Sequence, residues 1–188
     1  EQVTAVLSGK TVLGNLREIQ EVQNTFAAYE AMPEWQPYSL KDLVQAHSIL
    51  MKGLTDDAGR IRHGGVGIYR GEQLVHMAPP PSQLTRLMEN LLKWLKTTDT
   101  HPLIASAAFH YEFEFIHPFS DGNGRMGRLW QTLILSQWQP ILAYLPVETV
   151  IKHRQQEYYH VISQADKSSD CSSFIEFLLY AIESSLQE

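Results

Sequence analysis

Apolar residues recur every three or four positions along most of this chain, the spacing that places them on one face of a helix. The clearest stripe follows Ser82 and consists of Leu84, Leu87, Met88, Leu91, Leu92 and Leu95. The pattern therefore predicts a mainly α fold. The predicted helical segments run from Thr4 to Glu30 with an interruption near Gly14, from Ser39 through Met51, onward from the loop end and cap at 79–82, from Leu103 to Ile116, from Arg125 to Leu135, from Pro146 to about Ala165, and onward from the candidate caps Ser172 and Ser173.

One glycine-rich segment, residues 59–77, breaks this helical spacing. Two short apolar runs, 66–69 and 74–76, flank the turn residues 70–73, and this arrangement predicts a β-hairpin. A lone hairpin keeps an unpaired edge, and such an edge binds an extended peptide as an added strand. The alternative interpretation is a plain surface hairpin.

Residues 117–128 read His-Pro-Phe-Ser-Asp-Gly-Asn-Gly-Arg-Met-Gly-Arg and concentrate residues that handle phosphate. Gly122 and Gly124 allow a tight turn, and the helical spacing that follows predicts that this turn opens a helix. A helix N-terminus offers free N–H groups and partial positive charge to an anion. Arg125 and Arg128 lie three residues apart on the first turn, and arginine binds phosphate oxygens with two hydrogen bonds at once.

Two further residues of this segment supply acid–base and metal chemistry. Asp121 precedes the turn, and a carboxylate beside bound phosphates typically holds Mg²⁺. His117 accepts a proton near neutral pH, as a general base does. The segment therefore predicts a phosphate-handling site with a base, a metal ligand and an anion-binding turn.

Two nucleotide-binding patterns are matched in part and are rejected. Residues 122–127 fit Gly-x-Gly-x-x-Gly, but that fingerprint follows a strand, whereas a helix is predicted before it here. Gly9-Lys10-Thr11 resembles the end of a phosphate-binding P-loop, but Thr4 stands where that loop needs glycine.

Length, charge and composition exclude several classes of protein. A length of 188 residues fits one domain, or one domain with a short extension, and the net charge of −6 argues against nucleic-acid or membrane-surface binding. The single Cys171 forms no internal disulfide, which predicts a reducing, cytoplasmic location. No apolar run reaches the roughly 18 residues of a membrane-spanning helix. The apolar stripes fit either a homodimer interface or the core of one chain.

Residues 117–128 resemble the signature of the Fic (filamentation induced by cAMP) family, His-Pro-Phe-x-Asp/Glu-Gly-Asn-Gly-Arg-x-x-Arg, and every fixed position is matched. The resemblance implies a mainly α, Fic-type domain over residues 33–188, preceded by an N-terminal helical region over residues 1–32. Family members typically transfer AMP from ATP to a protein hydroxyl with Mg²⁺. This chemistry implies ATP as co-substrate, Mg²⁺ as cofactor and a Ser, Thr or Tyr side chain as acceptor.

The resemblance also implies a role for the hairpin. It identifies the hairpin, about residues 61–77, as the family's "flap", which holds the modified side chain of a target over the active site. The target segment would add as a strand along Gly67, Ile68 and Tyr69.

The resemblance further implies a role for each motif residue. His117 would act as general base and Asp121 would hold Mg²⁺, while the side chain of Asn123 would contact the α-phosphate. Phe119 would point into the core. The residues implied in ATP binding are Gly122, Asn123, Gly124, Arg125 and Arg128 along the phosphates, and Tyr158 and Tyr159 near the adenine, although these two tyrosines also fit ordinary helix packing.

Near its N-terminus the chain departs from the pattern of its apparent subgroup. Many Fic proteins carry an inhibitory helix with Ser/Thr-x-x-x-Glu-Gly/Asn, whose glutamate pairs with the second arginine of the motif. Thr4 and Gly9 match this pattern, but Ser8 stands in place of the glutamate. Because serine lacks the carboxylate, the resemblance implies weak autoinhibition. The alternative is an ordinary N-terminal helix.

Three functions fit the sequence. The first is an adenylyltransferase acting on another protein or on itself. The second is a Fic enzyme that transfers UMP, phosphocholine or phosphate, or removes AMP. The third is a silent peptide-binding module, which would need none of the five polar motif residues His117, Asp121, Asn123, Arg125 and Arg128.

Overall fold

A computed structural model describes Thr4, Ser8 and residues 15–70, 73–144 and 151–186, apart from the side chains of 68–70 and 73–75. Within these ranges the chain is mainly helical, as the sequence predicts, and no described helix is both long enough and apolar enough to cross a membrane. The elements are α1 (Leu16–Ala31), α2 (Leu40–Leu50), β1 (Gly67–Arg70), β2 (Gln73–Met77), α3 (Pro81–Thr97), α4 (Pro102–Ile116), α5 (Asn123–Trp138), α6 (Gln155–Ser168) and α7 (Ser172–Ser185), with short 3₁₀ helices at Met32–Glu34 and Pro140–Tyr144.

Local sequence explains where several helices begin. The hydroxyl of Ser39 accepts a hydrogen bond from the N–H of Asp42 at 3.2 Å, so the predicted cap of α2 is confirmed. The prediction for α7 was wrong by one position: Ser172 is its first residue, and its N–H bonds to the carboxylate of Asp170. The predicted interruption near Gly14 and the predicted helix start at Pro146 lie outside the described residues.

Helix α4, which leads into the motif, lies between two apolar clusters and is buried on most of its circumference. Phe109 and Phe113 face the larger cluster with α1, α2, α3 and α5, whereas Ala107 and Tyr111 face the second cluster with α6 and α7. The last residue of α4, Ile116, packs in the larger cluster, so the motif begins from a fixed point.

The predicted hairpin is present as a two-stranded antiparallel sheet of β1 and β2. Gly67 lies opposite Met77 and Ile68 opposite His76, and a bulge follows Ile68. The bulge twists the hairpin locally, because two residues of one strand oppose one residue of the other.

The buried side chain of Arg62 joins the hairpin to the motif. Its Nε donates to the carbonyl of His117 at 2.7 Å, and its two terminal nitrogens donate to the carbonyls of Gly64 at 2.7 Å and Pro79 at 2.8 Å. Its main-chain N–H donates to the carbonyl of Pro118 at 3.0 Å. One guanidinium therefore fixes both ends of the hairpin against the start of the motif.

We expect Arg62→Lys to lower the free energy of unfolding by about 2–4 kcal/mol, because a lysine ammonium cannot reach three separated carbonyls and leaves buried acceptors unpaired. Urea unfolding measures the change. The matched control is Arg60→Lys, an exposed position two residues earlier, where a change within about 0.5 kcal/mol is expected. Equal stability of both variants would contradict the role of Arg62.

Candidate active site

His117 occupies the residue directly after α4 and adopts the left-handed conformation, with φ 50°. Its main-chain N–H closes the helix by donating to the carbonyl of Phe113 at 2.9 Å. Its ring nitrogen Nδ1 lies 3.3 Å from the carbonyl of Glu114, which favours the tautomer with the proton on Nδ1. Nε2 is then the nitrogen with a lone pair, as a base requires.

The environment keeps this imidazole neutral. Burial lowers the pKa of His117 to about 4, and the positive charges of Arg62 and His76 act in the same direction, while the bond to the Glu114 carbonyl opposes them. A neutral ring is the form that accepts a proton.

Gly122 makes the turn that begins α5, with φ 83°. A Cβ at this position would also lie 2.5 Å from the sulfur of Met51, so glycine is required for both conformation and space. The first internal bond of α5 runs from the N–H of Met126 to the carbonyl of Gly122, and no described side chain caps the helix. The N–H groups of 123, 124 and 125 therefore form an anion-binding helix end.

The side chain of Asn123 bonds to the main chain of the motif loop, and its predicted contact with the α-phosphate stays a prediction. It is buried, with its oxygen accepting from the N–H of Phe119 at 2.9 Å and its nitrogen donating to the carbonyl of Phe119 at 2.8 Å. In this structure the amide therefore holds the loop closed. Phe119 is fully buried, as the resemblance implies.

His47 on α2 supports the same loop. Its Nδ1 accepts from the N–H of Gly59 at 2.8 Å, so its Nε2 carries the proton and donates to the carbonyl of Asp121 at 2.9 Å. Its ring stacks on Phe119 with centroids 3.6 Å apart. Burial lowers the pKa of His47, which preserves the neutral form that both bonds need.

Charges from α1 contact two predicted ligand-binding residues. The guanidinium of Arg17 lies 3.6 Å from the carboxylate of Asp121, and the carboxylate of Glu21 lies 3.7 Å from the guanidinium of Arg125. Arg125 also lies 3.7 Å from Asp121. All four side chains are partly exposed, and exposed ion pairs of this kind contribute little stability. Asp121 and Arg125 are therefore both available to a ligand.

The second motif arginine, Arg128, runs back along α5 toward the anion-binding end. Its Nη1 lies 3.2 Å from the point that a Cβ on Gly124 would occupy. Its charge acts on the buried Glu114, whose pKa it lowers against the larger effect of burial. Arg128 is thus positioned between the helix N-terminus and a buried acid.

The hairpin of β1 and β2, residues 67–77, is held at its second strand by His76. One ring nitrogen lies 2.8 Å from the carbonyl of Phe115 and the other 3.0 Å from the carboxylate of Asp166 on α6. The hydroxyl of Tyr111 donates to the same carboxylate at 2.9 Å. The hydrogen bond to Asp166 raises the pKa of His76 despite its burial.

The two tyrosines expected near adenine differ in their surroundings. Tyr158 is buried in the second core cluster, and its hydroxyl lies 3.1 Å from His110, so the packing alternative describes it. His110 is structural, as expected: its other nitrogen lies 2.7 Å from the side-chain oxygen of Gln131. Tyr159 is 45% exposed and remains a prediction for ligand contact.

Two residues of the predicted inhibitory pattern are described. The N–H and hydroxyl of Ser8 donate to the carbonyl of Thr4 at 3.0 and 2.7 Å, the bond of one helical turn. Both side chains are exposed. Gly9 lies outside the described residues.

Sequence reasoning missed Arg62 and His47, which position the loop. His47 fits the apolar stripe of α2, and Arg62 stands in an irregular segment, so neither has a local signal. Both act on residues more than 50 positions away in the chain.

Comparison with known proteins places the chain among Fic proteins. Residues 37–135 match the profile of the Fic/DOC family. The chain is 32% identical over 153 residues to a protein adenylyltransferase Fic of Drosophila erecta, a match that covers 79% of this chain and 28% of that protein. The chain thus spans less than a third of the length of the curated relatives it matches.

Solved structures agree with this match. A Fic family protein from Desulfovibrio desulfuricans has a TM-score of 0.95 and 62% identity, over 99% of this chain and 57% of that one. The BepC protein of Bartonella tribocorum, solved with bound AMPPNP, shares the fold at a TM-score of 0.64 and 16% identity, over 90% of this chain and 91% of that one.

The matched profile covers more than half of the chain and contains the whole motif. It also contains Arg62 and His47, which hold the motif loop in place, and both strands of the hairpin. The chain therefore belongs to the Fic/DOC family.

Proposed function

We propose that this chain transfers AMP from ATP to a Ser, Thr or Tyr hydroxyl of a target protein or of itself. The observation that carries the proposal is the state of His117, a neutral imidazole whose Nδ1 lies 3.3 Å from the Glu114 carbonyl. The N-terminus of α5, which no described side chain caps, supports the proposal as a site for phosphate. The curated relatives named as protein adenylyltransferases support AMP as the transferred group.

The reaction needs one proton acceptor and one site for the leaving group. Nε2 of His117 takes the proton of the target hydroxyl, and the hydroxyl oxygen forms a bond to the α-phosphorus of ATP. The bond from this phosphorus to the bridging oxygen breaks, and pyrophosphate leaves. The N–H groups at the start of α5, with Arg125 and Arg128, stabilise the negative charge of the phosphates.

The side chains present fit Mg²⁺ only if the phosphates of the nucleotide supply further ligands. Asp121 is a single, half-exposed carboxylate, and in the described part of the chain no cluster of three His, Cys, Asp or Glu side chains forms a metal site alone. Protein-bound Mg²⁺ typically combines one or two carboxylates with substrate phosphates. Asp121 would hold the ion, which would neutralise phosphate charge.

The flap hairpin would supply the target site. Strand β1 pairs with β2 on one side, so in the described sheet its other edge offers main-chain groups to an extended segment. A target strand along Gly67, Ile68 and Tyr69 would bring its hydroxyl side chain toward His117. Arg62 links that hairpin to the base directly.

We expect His117→Ala to lower AMP transfer at least about 100-fold, because the variant lacks the proposed acceptor of the hydroxyl proton. Transfer of label from ATP carrying ³²P at the α-phosphate measures the rate. The exposed His153→Ala is the matched control and should transfer at the rate of the unchanged chain. Stabilisation by ATP and Mg²⁺ in a thermal melt should persist in His117→Ala. Unchanged transfer in this variant would exclude His117 as the base.

A separate prediction concerns the metal. The unchanged chain should gain more thermal stability from ATP with Mg²⁺ than from ATP with EDTA, and Asp121→Asn should lose this difference because an amide holds Mg²⁺ weakly. Asp56→Asn, which alters another exposed acid, should keep it. The prediction fails if Asp121→Asn retains the full effect of Mg²⁺.

We further propose that the N-terminal segment is a weakened inhibitory helix. Thr4 and Ser8 form one helical turn, and the Ser8 hydroxyl is bonded to the Thr4 carbonyl, so it offers no charge to a motif arginine. A glutamate at position 8 would offer a carboxylate to Arg128, and a charge-assisted pair of this kind contributes about 1.5–3 kcal/mol.

Ser8→Glu should therefore reduce AMP transfer by about tenfold or more, measured by the same label transfer. Ser8→Gln has the same length without the charge and should retain most of the activity. Equal activity of Ser8→Glu and the unchanged chain would rule out the inhibitory role of this helix, without bearing on AMP transfer itself.

A further inference from the structure

The carboxyl group of Glu114 lies on the Nδ1 side of His117, the proposed base. Glu114 is one turn before His117 on α4, and its side chain is only 9% exposed. Its Oε2 lies 3.8 Å from Nδ1 of His117, and its Oε1 has no hydrogen-bond partner among the described residues. A buried acid with an unpartnered oxygen is unfavourable, so its retention calls for a physical reason.

The same residue faces Nδ1 of His117 with two acceptors. The main-chain carbonyl of Glu114 is 3.3 Å from this nitrogen, and the carboxylate is 3.8 Å from it. The carbonyl selects the Nδ1–H tautomer. The carboxylate adds a negative charge on the side of the ring opposite Nε2.

Glycine in α5 makes room for this carboxyl group. A Cβ at Gly127 would lie 3.0 Å from Oε1 of Glu114 and 2.9 Å from the ring of His110. Glycine is among the least favourable residues inside a helix. The close approach of α5 to Glu114 therefore depends on a glycine that is itself unfavourable for helix formation.

The groups around the carboxyl come from three helices. On α4 they are His117 and His110, whose ring lies 3.9 Å away and whose pKa burial lowers to about 4. Helix α5 contributes the positive charge of Arg128, and α6 contributes Tyr158, whose pKa burial raises. Burial outweighs the attraction to Arg128 and raises the pKa of Glu114 to about 7. The carboxyl therefore becomes ionised as the pH rises through neutrality.

We propose that Glu114 is a positioning residue for the general base, fixing the tautomer of His117 and stabilising its imidazolium form through the carboxylate. The proposal rests on the proposed function. When Nε2 takes the hydroxyl proton, the ring gains a positive charge beside a buried negative charge. The Nδ1 proton stays on the ring, no proton passes to Glu114, and the Nε2 proton later leaves to water or to pyrophosphate. The carboxylate would stabilise the imidazolium charge as the acid does in Ser-His-Asp sites, but across 3.8 Å and without a hydrogen bond of its own to Nδ1.

The test compares Glu114→Gln with the unchanged chain in AMP transfer between pH 6 and 9. In the unchanged chain kcat should rise through about pH 7 as Glu114 ionises. Glu114→Gln keeps the shape without the charge, so its kcat should be about tenfold lower at pH 8, without this rise. Its KM for ATP should stay within about twofold. Glu112→Gln, on the exposed side of the same helix, is the matched control and should behave as the unchanged chain.

Nitrogen NMR of the His117 ring tests the same coupling without turnover. The unchanged chain should show Nδ1 protonated, with a second inflection near pH 7 from Glu114, and Glu114→Gln should lose that inflection while its main ring titration stays near pH 4, where Glu114 is already protonated. The inflection needs no variant, so a poorly folded Glu114→Gln leaves the proposal testable. Identical ring titrations and equal kcat profiles would overturn it. If the unchanged chain transfers no AMP, the proposed function fails, and the ring titration alone decides whether Glu114 acts on His117.

Discussion

The guanidinium of Arg62 donates to the carbonyls of His117, Gly64 and Pro79, so one buried side chain holds the proposed base and both ends of the flap hairpin. Arginine suits this position because its planar group directs several donors at fixed angles. The left-handed conformation of His117 turns its carbonyl toward Arg62. The position of the base relative to the predicted target strand therefore depends on the main-chain carbonyls that accept hydrogen bonds from this one guanidinium.

The buried course of α4 makes this arrangement rigid. Two apolar clusters pack against opposite sides of the helix, and its end carries both Glu114 and His117. Polar contacts then replace apolar ones: Asn123 closes the loop onto Phe119, and His47 supports the carbonyl of Asp121. Contacts in the interior of the loop therefore hold it in place. The N–H groups at the start of α5 are left available to a ligand.

The sequence predicted the features whose signals are local. The helical periodicity, the hairpin turn and the uninterrupted motif 117–128 each lie within about twenty residues, and each predicted the element that is observed. Arg62 and His47 were not predicted, because their partners lie far away in the chain and become neighbours only after folding. The bond between the Asn123 side chain and the main chain of Phe119 was not predicted either, since only the folded loop brings the two together; the phosphate contact of Asn123 stays a prediction.

The ion pairs from α1 bear on how a nucleotide would enter this site. Asp121 faces the cation of Arg17, and Arg125 faces the anion of Glu21, so each already has a partner of opposite charge. On the proposed function, Mg²⁺ would take the place of Arg17 beside Asp121 and a phosphate would take that of Glu21 beside Arg125, so each would meet a charge of the same sign as before. Because these pairs are partly exposed and longer than a hydrogen bond, the exchange costs little. A chain of net charge −6 can therefore accept ATP with Mg²⁺ without creating an unpaired buried charge.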